Sequence, residues 1–96
     1  MVAPRLVMVL ESIRTRFNAA VRINSGYRTP QYNAQVGGSA HSQHCYGTAA
    51  DITVAGQTPE AVAAYARQIM PDWGGVGVYQ TFTHVDIREN RADWKV

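Results

Sequence analysis

Two short segments do most to limit the fold: TAADITV at 48–54 and THVDIR at 83–88 alternate side chains with a period of two. That period fits a strand with one buried face and not a helix. In the first segment Ala50, Ile52 and Val54 point one way, and Ala49, Asp51 and Thr53 the other. In the second, Val85 and Ile87 face a core while His84, Asp86 and Arg88 share the opposite face. A strand that buries one side needs only solvent-tolerant residues on the other. His with Asp is an unusual pair to choose for solubility alone.

The remaining pattern supplies helices to cover such strands. Leu6, Leu10, Ile13 and Phe17 recur at helical spacing behind Pro4, so residues 4–18 are expected to form an amphipathic helix. VRIN at 21–24 alternates like a strand, Gly26 marks a turn, and Thr29 with Pro30 can start a short helix over 30–36. VGGSAHSQHCYG reads as a loop. TPEAVAAYARQIM carries Thr58 as cap, Pro59 at the first helical position and Glu60 in the first turn, ahead of a stripe of Val62, Tyr65, Ala66 and Ile69. GGVGVYQ and THVDIR are expected to pair as a hairpin, with the tail ENRADWKV packing Trp94 onto the body. The expected class is α+β, with helices packed on a small, mostly antiparallel sheet in one domain spanning residues 1–96.

At 96 residues the core can offset chain entropy only modestly, so a bound metal would be a useful extra constraint. Hydrophobic residues at 46% and charged residues at 17% fit a compact folded protein. The formal charge of +2 comes from scattered basic residues, which gives no nucleic-acid surface. The opening apolar run LVMVL is too short for an export signal or a bilayer span, so no membrane insertion is expected. Cys45 is the single cysteine and no internal disulfide can form. A monomer is expected.

All three histidines and two of the four aspartates fall within 41–51 and 83–91. His44 lies on a loop leading into the strand of Asp51, and Gly47 between them lets the backbone turn. His44, Asp51 and His84 would make a three-ligand site with one open position, the way catalytic zinc is held. Other first-row metals accept the same donors, and the HExxH pattern is absent. Spacing alone leaves a hydrogen-bonded His and Asp surface pair equally open. Cys45 beside His44 suggests a thiol nucleophile, but chain neighbours rarely aim at one another, and we read Cys45 as a packing residue.

SQHCYGTAAD at 42–51 matches the SxHxxGxAxD signature of the zinc D-Ala-D-Ala peptidase family. GGVGVYQTFTHVDIR resembles the second-histidine segment of its smaller members, and SGYRTPQYN resembles its upstream SGYR segment. The resemblance implies a fold like that of the Hedgehog and D-Ala-D-Ala peptidase group, with Zn2+ held by His44, Asp51 and His84. It also implies that Arg28 contacts substrate and stabilises charge on the scissile carbonyl. Ser42 would line the pocket or cap the loop, and His41 would flank the cleft and donate to substrate or sit exposed on the loop. Several relatives place an acidic residue three positions before the second zinc histidine, where this chain has Thr81. Asp86 shares the strand face of His84 and is the best substitute as general base; its other reading is a partner that orients a ligand histidine.

The function implied is a zinc metallopeptidase that hydrolyses peptidoglycan stem peptides, most simply the D-Ala-D-Ala bond as a carboxypeptidase. An L-Ala-D-Glu endopeptidase or endolysin of the same family is the nearest alternative. A zinc-containing binding module without turnover, as Hedgehog domains resemble this family, is the rival from another class. With no signal peptide in the chain, action on a cell wall would fit a phage or prophage component, or a fragment of a longer secreted protein.

Overall fold

The computed structural model describes residues 3–25 and 47–96. Among these the order is α1 (Pro4–Phe17), β1 (Val21–Ser25), β2 (Ala49–Val54), α2 (Pro59–Ile69), β3 (Gly75–Val78), β4 (Thr83–Asp86) and β5 (Ala92–Lys95). The short helix expected over 30–36 lies outside the described residues.

Helix α1 begins at Pro4, whose missing amide costs nothing in a first turn. It ends at Asn18, which adopts the left-handed conformation (φ 49°, ψ 47°) and donates its N–H to the Thr15 carbonyl. Helix α2 starts as its sequence dictates, with Thr58 Oγ1 accepting the Ala61 N–H at 3.1 Å and Pro59 in the first turn. Leu6, Val9 and Ile13 of α1 and Val62, Ala63 and Ala66 of α2 are buried against Ala50, Ile52, Val54, Val76 and Val85 on one face of the sheet. Each large aliphatic side chain buried there contributes about 1.5–3 kcal/mol.

The five strands are ordered β1-β2-β4-β3-β5. Every pairing is antiparallel except β3 with β5, and β3 with β4 forms the expected hairpin. The tail does more than pack Trp94: residues 92–95 form a strand parallel to β3. The Arg67 guanidinium explains part of this. It donates to the carbonyls of Met70, Trp73, Gly74 and Ala92 and to the Asp93 carboxylate, tying the end of α2, the turn after it and β5 together. A parallel edge built on one arginine leaves no local periodic signal in the sequence.

Candidate active site

Both helices pack on one face of the sheet, so the opposite face carries the polar residues. Register aligns them in two rows. Asp51 pairs with His84, His84 with Gly77, and Gly77 with Trp94. One step along, Ala49, Asp86, Gly75 and Ala92 lie side by side. A Cβ on Gly75 would overlap the Asp86 carboxylate, and one on Gly77 would overlap the Trp94 indole. The two glycines are gaps that the neighbouring side chains fill.

His84 is held from both ring nitrogens. Nδ1 lies 3.1 Å from Asp51 Oδ1, and Nε2 lies 2.7 Å from Asp86 Oδ2. Asp86 Oδ1 accepts the backbone N–H of Gly75 at 2.8 Å, the backbone N–H of Arg88 at 3.1 Å and Arg88 Nε at 2.8 Å. Asp86 Oδ2 also accepts Arg88 Nη2 at 2.7 Å. Trp94 lies against the imidazole, ring centroids 4.9 Å apart and tilted by 49°, and its Nε1 donates to the Tyr79 hydroxyl at 3.0 Å. The Arg88 guanidinium sits over the same indole, 5.3 Å from its centroid.

Burial opposes the charged form of both central groups, and their partners reverse it. Desolvation alone would lower the His84 pKa, but hydrogen bonds to Asp51 and Asp86 and their negative charge carry it above the ordinary histidine value. Desolvation alone would raise the Asp86 pKa, but His84 and Arg88 hold it well below the usual carboxylate range. A carboxyl that gives up its charge so reluctantly is a poor proton acceptor.

One expectation changes here. The polar face of β4 is not a solvent-tolerant one, since His84 is 7% exposed and Asp86 0%. Asp86, read from the sequence either as general base or as a partner that orients a ligand histidine, carries five hydrogen bonds on its oxygens. It also binds the edge of the imidazole that diverges from Asp51.

Asp51 Oδ1 and His84 Nδ1 fit a shared cation. Oxygen and nitrogen donors about 2.0–2.1 Å from one tetrahedral zinc lie roughly 3.3 Å apart, close to the 3.1 Å between these atoms. Among the described residues no group of three His, Cys, Asp or Glu side chains is arranged to hold a metal. Asp86 cannot be the third, because the imidazole stands between it and Asp51. His44, the third expected ligand, lies outside the described residues, as do Arg28, His41 and Ser42. Gly47, expected to turn the chain into β2, has φ +69°. Sequence reasoning missed the place of Trp94 at the site. The glycines at alternate positions of GVGV, facing inward on a strand, were the available signal.

The fold thus sets a carboxylate and an imidazole side by side on the sheet face opposite the helices. The chain belongs to the peptidase M15 family, whose family model matches residues 1–86. It is therefore a peptidase by family. A comparison with curated proteins finds no match. No helix among the described residues is long and apolar enough to cross a membrane.

Proposed function

We propose that this peptidase is zinc-dependent, with His44, Asp51 and His84 as ligands, and that it hydrolyses peptidoglycan stem peptides at the D-Ala-D-Ala bond as a carboxypeptidase. The observation that carries the reading is the convergence of Asp51 Oδ1 and His84 Nδ1 at 3.1 Å on adjacent strands. Members of the M15 family are generally zinc-dependent, which agrees with this donor pair.

Zinc, when bound, supplies Lewis acidity to the scissile carbonyl and to the attacking water. The chain's own residues set the stage for it. With Asp86 accepting a hydrogen from His84 Nε2, Nδ1 is the ring nitrogen that would serve as the metal ligand, and its basicity is raised. Arg88 and the Gly75 amide keep that carboxylate ionised and in place. Asp86 is thus a positioning residue in this reading and not the general base. Arg28 would bind the substrate and stabilise charge on its carbonyl, with Ser42 and His41 lining the pocket. An L-Ala-D-Glu endopeptidase of the same family is the nearest alternative, and the side-chain pockets around the site decide between the two.

A second reading, a zinc-containing module without turnover, draws on one observation. Position 81 carries an exposed threonine in place of an acid, and the nearest substitute, Asp86, is committed to His84 and Arg88. The deciding experiment is mass spectrometry of a synthetic stem pentapeptide ending in D-Ala-D-Ala, incubated with the protein, with chelator, and with zinc restored. Loss of one alanine that chelator abolishes and zinc returns is the expected result. A cut after L-Ala selects the endopeptidase, and an intact peptide with zinc-loaded protein selects the binding module.

A further inference from the structure

We infer that Trp94 is a positioning residue for the metal site, and that β5 brings its indole against the His84 ring. This rests on the zinc-site reading above. The two hydrogen bonds to His84 run in the plane of the imidazole, from Nδ1 to Asp51 and from Nε2 to Asp86. In-plane bonds resist sliding of the ring and do little against a swing out of its plane, because hydrogen-bond energy changes slowly with small departures from linearity. Trp94 bears on the ring as well, with centroids 4.9 Å apart and the ring planes tilted by 49°.

The indole is itself fixed from several sides. Its Nε1 donates to the Tyr79 hydroxyl at 3.0 Å, and Tyr79 is stacked on Phe82 with centroids 4.4 Å apart. Arg88 covers it from a distance of 5.3 Å while bound through two nitrogens to Asp86, so one arginine touches both supports of the histidine. The missing side chain of Gly77, between His84 and Trp94 in the row, supplies the space the indole occupies. Asp51 Oδ1 and His84 Nδ1 are the donors that would hold the cation. Trp94 and Asp86 would then help to hold the ring for that role.

The test is the zinc dissociation constant of the whole chain, measured by competition with a chromophoric chelator, for Trp94→Leu, Trp94→Phe, Gly77→Ala and the Gly77→Ala/Trp94→Leu double variant. Loss of a contact that orients a ligand histidine weakens metal affinity about 10- to 100-fold, and that loss is expected for Trp94→Leu and Gly77→Ala. Trp94→Phe keeps an aromatic ring beside His84 and is expected to stay within a few-fold of wild type. The double variant is expected to lose no more than either single one, since both remove the same contact. Trp94→Leu that binds zinc as wild type, or losses that add in the double variant, would overturn the inference. A wild-type chain that binds no zinc would instead overturn the zinc-site reading beneath it. Because Trp94→Leu can fail to fold, a second readout uses intact rings: in Trp73→Phe, whose remaining tryptophan is Trp94, cobalt(II) is expected to quench the emission with the midpoint of metal binding. Unchanged emission on stoichiometric cobalt binding places the indole away from the site and refutes the idea.

Discussion

On the helix side of β4, Val85 is 0% exposed within the aliphatic core; on the other side Asp86 is also 0% exposed, with five hydrogen bonds. Both faces of one strand exclude water, by different physics. The apolar face gains from area removed from water and tolerates approximate fit. The polar face gains little net energy from each bond but loses heavily when one partner disappears, because the others stay buried and unpaired. A function placed on the second face therefore inherits geometric precision along with sensitivity to single changes.

The largest effect should come from Asp86→Ala. It strips partners from the Gly75 amide, from Arg88 and from His84 Nε2 at once. Breaking a buried charged pair costs about 3–5 kcal/mol, and urea unfolding of the metal-free protein should show a loss in that range, with zinc affinity falling as well. A loss under 1 kcal/mol would mean that the polar face is wetter and looser than its burial implies.

Next comes Ile52→Ala, on the helix side of β2. Its side chain is 0% exposed within the aliphatic cluster, so a loss of about 3 kcal/mol is expected by the same unfolding measurement. Zinc affinity should stay near wild type, because the change creates a cavity away from the donors. If affinity falls as far as it does in Asp86→Ala, the two faces are coupled and the contrast between them fails.

A smaller effect should follow from acid. The folded pKa of Asp86 is depressed, so its stabilisation is complete above the unfolded carboxylate value of about 3.9 and drains away as pH falls through the folded one. His84 runs the other way: its folded pKa is raised, so its contribution is complete below the unfolded value of about 6.5 and is lost as pH rises through the folded one. The metal-free protein should therefore lose stability toward strong acid and, separately, above neutrality. Asp86→Asn, followed by thermal melts across pH, should flatten the acid limb. An unchanged limb would assign acid sensitivity to other carboxylates.

The helix side of the molecule was legible in the sequence because its signals are local and periodic. Thr58 and Pro59 announce α2, the spacing of Leu6 and Ile13 announces α1, and alternation in TAADITV turns Asp51 away from the core. The site was legible in part. Alternation placed His84 and Asp86 on one face, and the resemblance to the D-Ala-D-Ala peptidases named Asp51 and His84, which the fold sets side by side. What stayed hidden is cross-strand. Nothing within THVDIR says that Gly75 opens a slot for Asp86, or that a strand at 92–95 brings Trp94 to His84, since both depend on register between segments that do not adjoin. The burial of Asp86 follows from that register.

Asp93 offers the smallest effect and the cleanest control. Like Asp86 it is a carboxylate held by arginines, accepting Arg67 Nε at 2.9 Å and Arg91 Nε at 2.8 Å. Its side chain is 47% exposed, so water replaces whatever partner is removed, and ion pairs in that setting contribute about 0.2–1 kcal/mol. Arg67 keeps four backbone carbonyls as acceptors when Asp93 is gone, so β5 should remain tied to α2. Asp93→Ala is thus expected to cost about 0.5 kcal/mol in urea unfolding and to leave zinc affinity unchanged. A large loss of zinc affinity without a matching loss of stability would show that the position of β5, and of Trp94 on it, is set by this outer ion pair more than by the carbonyls around Arg67. Two carboxylates with the same kind of partner would then differ less by burial than by which strand each one anchors.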